Sequence, residues 1–591
     1  MNRRSFLGAL AASTLKAQNR PRPDTPRISL CQVGYLPKAR KVVIVRPSAD
    51  PPPAELLIRD IGSSRYGWHG QAAAPMRLTI PLKKTACDFG DCLTGDFAEI
   101  ERPTIYQAIV GAERSTPFFV RPDAWRRTIP KAVGFIRAQR CGAEVAGVHQ
   151  LCHLDDARRR DTGQHVDVTG GWHDAGDLRK LTDSGTMYGF GLLALARNLG
   201  PRWDPAASGL QPLLEEFSWG NRHFLSIQDS DGLVWNDTAG GGPELTNSDN
   251  HWTDNQPGTA DDRFINVAKL PLTQGIFVAL EAMAATVFRP TDPRYADRCQ
   301  AAAVRCFEAS RKLPPPASRA PWGGSLTRDL AWRVRAALEL HRATGRESWA
   351  AEAVRLASEL ADLQHTGFIG SQKRVRGFWR IAPGDQAPYT DPVDSSLPPL
   401  VFLELAEALP KHADSPRWRD AVRLYLDEYL VPMTARSAYR IAPFGVFLGS
   451  PTPERYRPLE GELTYRYFMP TKKWDWWFGM SSHLTSHALL LALAARVFSK
   501  LAYRELGTRQ LEWIMGANPF SVCQMSGEGL RNPYPHSRFV GPITGGILNG
   551  IAGDHEDQPI FDTETHYDYR TTEYWAPHNG YYLWALSVLE A

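Results

Sequence analysis

Two aspartates three residues apart, in Gly170-Gly171-Trp172-His173-Asp174-Ala175-Gly176-Asp177, are the residues whose types and spacing point most directly to chemistry. Only Ala175 and Gly176 separate them. A turn that tight cannot bury both charges unpaired in apolar core, where each would cost several kcal/mol. Both are therefore expected to face water, a cation or a polar ligand. The plain reading is an Asx-type turn that caps the following helix. The chemical reading is hydrolytic: a water attacking a sugar acetal needs one carboxylate to take its proton and is often oriented by a second. That reading also needs a carboxylic acid on the opposite side of the bond. Glu573, in Thr571-Thr572-Glu573-Tyr574-Trp575, offers one from the far end of the chain. Its plain alternative is a helix-start glutamate facing the helix dipole.

A second group lies just upstream. Cys141, Cys152, His153 and His173 place two thiols and two imidazoles within 33 residues, the ligand set of a closed tetrahedral zinc site. His173 directly precedes Asp174, so a metal there would anchor the turn that carries the carboxylates. A Cys141–Cys152 disulfide and His149 as a rival ligand are the alternatives.

Four short strings in order carry a resemblance that covers nearly the whole chain. The Gly170–Asp177 string resembles the one that holds the catalytic base in family 9 glycoside hydrolases, a family of cellulases. Gln32-Val33-Gly34-Tyr35-Leu36-Pro37 is similar to the opening strand of the immunoglobulin-like domain that precedes many of their catalytic domains. Gly516-Ala517-Asn518-Pro519 and Pro535-His536-Ser537-Arg538 resemble the family's Gly-x-Asn-Pro and Pro-His-His-Arg elements. The resemblance implies Asp177 as general base, Asp174 as its helper on the attacking water, and Glu573 as general acid, with Thr572 where the family has Asn. It implies inversion at the anomeric carbon, which leaves carboxyls about 6.5–9.5 Å apart. His536 and Arg538 match residues that contact sugar hydroxyls, with Ser537 replacing the second His; an ordinary ion pair accounts for Arg538 as well. Trp474, Trp476, Trp477 and Trp575 are either stacking platforms for sugar rings or core residues, and Trp172 packs beneath the aspartates. Some members hold a structural zinc at the positions of the Cys/His group. Calcium is common in the family, and Asp249, Asp254, Asp261 and Asp262 offer carboxylates for it with no site assigned. No organic cofactor is implied.

The elements that must position these residues follow from the rest of the sequence. A net charge of +4 on 591 residues gives no basis for binding nucleic acid or an anionic membrane surface, and no run of 18 or more apolar residues spans a membrane. Aromatic residues make up 10% of the chain, 18 of them Trp, which suits a carbohydrate cleft. Residues 1–18, with Arg3 and Arg4 before Ser5-Phe6-Leu7 and an Ala/Leu run ending near Ala17, read as a twin-arginine-type signal for export to the periplasm or outside the cell. After Pro21, Pro23 and Pro26, residues 27–122 alternate apolar and polar in short runs, predicting an immunoglobulin-like β-sandwich. Cys87 and Cys92 there either pair or remain thiols. From 128 to 591 the period is helical. Asp292-Pro293 and Ser415-Pro416 place capping side chains before prolines, and Gly345 ends one helix just before Trp349 begins the next. About a dozen such segments predict an all-α, hairpin-built domain; the resemblance implies an (α/α)6 barrel. Long polar loops are expected at 230–265, 365–395 and 435–475. The whole predicts an exported, monomeric, inverting hydrolase of β-1,4-linked glucan or cello-oligosaccharides, acting within chains or from their ends. The alternatives are an exo-acting β-glycosidase on another β-1,4 polymer, such as chitosan oligomers, and a non-catalytic carbohydrate-binding relative. The latter has no reason to keep Asp174, Asp177 and Glu573 together.

Overall fold

The computed structural model describes residues 27–48, 51–62, 76–200, 211–239, 252–316, 325–371, 373–471, 477–563 and 568–591. The segment holding Arg3 and Arg4, the three prolines after it, Asp249, Trp474 and Trp476 lie outside the described residues.

Between Ile28 and Val120, runs rich in Val, Ile, Leu and Phe pair as antiparallel strands. One sheet has the order β1 (Ile28–Ser29), β2 (Val42–Val45), β6 (Cys92–Asp96), β5 (Lys83–Thr85). The other has β4 (Arg77–Pro81), β3 (Glu55–Asp60), β7 (Thr104–Val110), β8 (Glu113–Arg114), with β9 (Phe118–Val120) also paired to β7. β3 and β7 alternate, turning Leu56, Ile58, Tyr106 and Ala108 inward. β2 instead buries Val43, Ile44 and Val45 in succession, the pattern of a strand covered on both faces. Its sheet lies against the helical half of the chain. Ser29 Oγ donates to Asn518 O (2.8 Å), and Gln32 Nε2 donates to Ser521 O (2.7 Å). Gln32 Oε1 accepts from the Leu530 N–H (2.9 Å). Gly516 faces this glutamine closely enough that a Cβ there would lie 2.7 Å from Gln32 Cγ. Two of the strings noted in the sequence are thus the two sides of one contact between the halves. Cys87 and Cys92 are free thiols, and the turn after Cys87 docks on the helical half through Phe89, edge-on to Tyr467 at 4.7 Å.

Beyond the sandwich, apolar residues recur at helical spacing. Six helices are buried on nearly all sides: α2 (Thr182–Leu199), α4 (Pro271–Phe288), α6 (Leu326–Thr344), α8 (Leu397–Ala408), α11 (Ser481–Phe498) and α14 (Ala576–Leu589). Each packs on the next, and α14 packs back on α2, so the ring closes. Outside them lie α1 (Ile129–Ala138), α3 (Gln211–Ser226), α5 (Pro293–Ser310), α7 (Glu347–Asp362), α9 (Ser415–Tyr425) and α12 (Leu501–Ile514), each against an inner helix. The outer helices bury only a stripe; on α5 it is Tyr295, Ala296, Cys299, Ala302, Ala303, Cys306 and Phe307. Six inner and six outer helices make the expected (α/α)6 barrel. The short α10 (Val431–Thr434) and α13 (Tyr569–Thr572) lie outside this count. α4 is long and apolar enough to cross a membrane (mean hydropathy 1.4), yet 78% of it is buried within the ring.

Local signals held unevenly. Asp292 caps α5 by accepting from the Tyr295 N–H, and Gly345 ends α6 at φ +66°. Ser415 does not cap α9: it lies inside the helix, one residue after the N-cap Asp414. Residues 435–475 are not simply loop. They contain a three-stranded sheet of β14 (Gly445–Leu448), β16 (Leu463–Arg466) and β15 (Arg457–Glu460). Within 158–266, β10 (Arg158–Arg159), β13 (Phe264–Asn266), β12 (Asp237–Ala239) and β11 (Lys180–Leu181) form a small sheet beside the aspartate turn.

Glu281 on α4 is fully buried and receives a hydrogen bond from Asn221 Nδ2 (3.2 Å). Burial pushes its carboxyl up to about 8, against about 4.3 in an unfolded chain. Between those values the native state holds a proton that the unfolded chain has released, so this group's contribution falls as pH rises from about 4.3 to about 8. Glu281→Gln keeps the shape of the protonated acid and removes that dependence. Thermal unfolding at pH 5 and pH 8 should show the variant gaining on the parent protein toward pH 8. A difference in Tm that is the same at both values would contradict this.

Candidate active site and metal group

The aspartate turn precedes α2 and rests on Trp172, which is buried and donates from Nε1 to Glu216 Oε1 (2.9 Å). The two aspartates are not equivalent. Asp174 is fully buried, contrary to the expectation that both face water, a cation or a ligand. Protein donors replace water: Ser184 Oγ donates to Oδ2 (2.5 Å) and the Leu181 N–H to Oδ1 (3.1 Å). Burial raises its pKa, with these two hydrogen bonds opposing. Asp177 is half-buried, and its Oδ1 accepts from the Arg179 N–H (3.3 Å).

Backbone hydrogen bonds bring two distant segments, 536–538 and 572–576, to this turn. The Ala576 N–H donates to Asp174 O (2.7 Å), and the Gly176 N–H to Tyr574 O (3.2 Å). The Arg538 N–H donates to Gly176 O (2.8 Å), and the His536 N–H to Thr572 O (2.9 Å). Gly176 is where the strands meet: a Cβ there would lie 2.6 Å from His536 O and 3.1 Å from Glu573 Cγ. Asp174, Asp177, His536, Arg538 and Glu573 therefore surround one point. Glu573 is half-buried and extended (φ −78°, ψ 147°), two residues before Trp575, the N-cap of α14. That places it outside the first turn, so it is not a helix-start glutamate. Its backbone is held by the Asn549 N–H (2.7 Å to Glu573 O) and by Tyr569 O, while Thr572 Oγ1 turns away to donate to Asp568 O (3.0 Å). His536 is half-buried and Arg538 exposed. Trp575 pairs by backbone with Ala175 and stands edge-on to Phe478 (4.9 Å), leaving it half-buried beside the turn. Trp477 is also half-buried, but the Arg570 guanidinium lies 4.3 Å over its ring.

Sequence reasoning missed Arg179 and Asp237. Arg179 donates to Asp237 Oδ2 on β12 (2.9 Å), and its Nε is buried with no hydrogen-bond partner. Burial works against its charge, but Asp237, Asp177 and Asp174 outweigh it and hold the guanidinium protonated. It is thus a cation beside both aspartates of the turn. An arginine two residues past an aspartate is too common for sequence to single it out.

Behind the turn the Cys/His group assembles as expected. One ligand atom each from Cys141, Cys152, His153 and His173, all buried, lie within 4.8 Å of one another. His149 is outside the group, and both cysteines are free thiols. Burial pushes His173 down to about 4, so its imidazole is neutral, as a metal ligand must be. The thiol of Cys141 lies well below its ordinary value: burial opposes, but a hydrogen bond from Cys152 and the charge of Lys180 prevail. Asp156 fixes this region, paired with Lys180 Nζ (2.6 Å) and Arg263 NH2 (2.5 Å) in full burial. Arg263 also donates to Leu178 O (2.6 Å), inside the turn itself.

A family model described as Glycosyl hydrolase family 9 matches residues 125–544. Endoglucanase D of Acetivibrio thermocellus is 27% identical over 307 residues, 49% of this chain and 46% of that protein. The chain thus spans about half the length of that relative. A cellodextrinase of Butyrivibrio fibrisolvens is 22% identical over 499 residues, 78% of this chain and 81% of that one. In fold, the chain is similar to a thermostable endoglucanase from Alicyclobacillus acidocaldarius, with a TM-score of 0.68 at 20% identity over 96% of this chain and 100% of that one.

The crowding at Gly176 is directly testable. Gly176→Ala drives a methyl into backbone and Glu573, and overpacking of this kind costs about 1–3 kcal/mol. Unfolding by denaturant should show a loss of that size, and an unchanged midpoint would mean the three segments do not meet as described.

Proposed function

The chain belongs to glycosyl hydrolase family 9, and on that premise we propose that it is an inverting hydrolase of β-1,4-linked, cellulose-like glucan or its oligosaccharides. The observation that carries the reading is the convergence of Asp174, Asp177 and Glu573 on Gly176 from opposite ends of the chain. Asp177, the more accessible aspartate, takes the proton of the attacking water. Asp174, buried and fixed by Ser184 and the Leu181 N–H, holds the turn that presents Asp177, and its role as helper on that water rests on the family resemblance. Glu573, on the other segment, protonates the leaving oxygen. His536 and Arg538 offer donors to sugar hydroxyls, and Trp575 offers a ring beside the turn. Curated relatives named endoglucanase and cellodextrinase support the substrate class. Arg3 and Arg4 support export, and the reading is of a monomer.

We further propose that the Cys/His group holds a structural zinc. A tetrahedron with bonds of about 2.0–2.1 Å to N and 2.3 Å to S has edges of about 3.3 Å (N–N) and 3.6 Å (N–S). The corresponding separations are 3.3 Å between His173 Nε2 and His153 Nδ1, 3.6 Å between Cys141 Sγ and His153 Nδ1, and 3.9 Å between Cys152 Sγ and His173 Nε2. With four protein ligands the ion has no open position, so it holds the turn rather than activating water.

Asp177→Asn should abolish turnover of both cellulose and an aryl glycoside. Glu573→Gln should lose far less on the aryl glycoside, whose leaving group needs no acid; equal losses on both substrates would remove Glu573 from the acid role. Sizing products from β-glucans and from chitosan oligomers separates the glucan reading from its β-1,4 alternatives.

Elemental analysis should find about one zinc per chain, lost in either Cys141→Ser or Cys152→Ser, with chelation lowering Tm more sharply than activity. A metal-free protein with both thiols joined as a disulfide would end the zinc reading.

A further inference from the structure

A cleft of about 540 Å³ lies between the sandwich and the barrel. Lys38 and Arg40, just ahead of β2, line it from the sandwich; Arg504 and Arg509 on α12 line it from the barrel, and Arg440 from the segment before β14. Leu589 and Glu590 reach it from the C-terminal end of α14. A helix of 14 residues spans about 21 Å, so the cleft and Glu573 sit at opposite ends of α14.

These five basic side chains face three carboxylates in the lining, Glu505, Glu512 and Glu590. Three of the cations are already engaged: Arg40 with Asp96 (3.0 Å), Arg509 with Glu512 (2.6 Å) and Arg504 with Leu589 O (2.6 Å). Lys38 is exposed. Arg440 is different. It is half-buried, and among the described residues no carboxylate lies within ion-pair distance of it. Burial works against its charge, Arg509 and Arg40 add to that, and the Tyr467 phenol opposes. A half-buried guanidinium set among like charges is costly, and an anion placed between them removes the cost. The backbone of Arg440 is left-handed (φ +58°), uncommon for a residue with a side chain. Gln510 of α12 holds it so, donating from Nε2 to Arg440 O (2.8 Å) and accepting at Oε1 from the Ala442 N–H (2.8 Å). Conformations of this kind persist where their surroundings impose them, and they cluster at ligand sites.

We propose that this cleft binds a small anionic sugar, its carboxylate or phosphate taken by the Arg440 guanidinium with Arg509 and Arg40 alongside. A guanidinium donates two parallel hydrogen bonds to such an oxyanion. The volume falls within the range of small-ligand pockets, about 300–1,000 Å³. Val42, Leu501, Leu506 and Leu589 supply apolar wall for the C–H faces of a sugar ring, which a bare ion would leave uncovered. The neutral glucan proposed as substrate carries no anionic group, so this is a second site and stands apart from the hydrolase reading.

Calorimetry on the full chain at low salt measures binding of glucuronate, glucose 6-phosphate and inorganic phosphate. The parent protein should bind at least one of the two sugars, one per chain, with Kd of about 1 mM or tighter. The tighter of the two identifies the anion as carboxylate or phosphate. Arg440→Gln, with circular dichroism unchanged, should bind that sugar at least about tenfold more weakly. Arg440→Asn, whose new side chain tolerates left-handed backbone, repeats the test if the glutamine variant does not fold. Arg40→Gln, at the exposed rim, should weaken binding less than either. No binding of either sugar by the parent, or parent-like affinity in a folded Arg440 variant, overturns the proposal. Inorganic phosphate bound as tightly as the better sugar overturns it in favour of a bare anion site.

Discussion

The close approach of α2 and α14 is the constraint on which the site depends. A Cβ at Gly191 would lie 3.0 Å from Gly580 O, and one at Gly580 would lie 2.3 Å from Met187 O. The first and last inner helices therefore touch backbone to backbone. Asp174 and Asp177 lie just ahead of one helix, and Glu573 lies just ahead of the other. Once the helices meet, the hydrogen bond from Ala576 to Asp174 and the contact at Gly176 leave the opposed carboxyl groups little freedom. Groups positioned by helix packing rather than by loop conformation hold their geometry without reorganising during reaction.

The turn is supported unequally on its two sides. Behind it, Asp156, Lys180 and Arg263 form a fully buried charge cluster that touches Leu178 in the turn and Cys141 in the metal group, the latter through Arg263 NH2 at 3.6 Å from Sγ. Such a cluster tolerates little displacement, because moving one charge strands the others in low dielectric. In front, Asp177 and Glu573 stay half-buried. The rigid side sets position, and the open side holds the two carboxyl groups to which the chemistry is assigned above.

The parts of the molecule legible in the sequence are those with strong periods or several matched strings. Leu330, Val334 and Ala337, followed by Gly345, give α6 and its end, and the Gly-Asp turn and Glu573, singled out together, do meet at Gly176. The less legible parts depend on tertiary partners. Asp174 could not be read as buried, since Ser184 and the Leu181 N–H become its donors only once α2 forms. Arg179 and Asp237 meet across β11 and β12, a pairing no local pattern announces. The β14–β16 sheet hides in a stretch interrupted by Pro458. Ser415 lost its capping role to a one-residue shift in where α9 begins.

A ring closed by its first and last helices also dictates when the two carboxyl-bearing segments can meet. Asp177 and Glu573 are nearly four hundred residues apart in the chain, and the meeting of their segments at Gly176 carries one of the largest loop-closure entropies in the fold. α6 and α7 are neighbours in the chain and close over a short connection, whereas the segments of Asp177 and Glu573 meet only when α14 docks on α2. On the roles proposed for Asp177 and Glu573, a chain whose last helix has not docked has no paired acid and base.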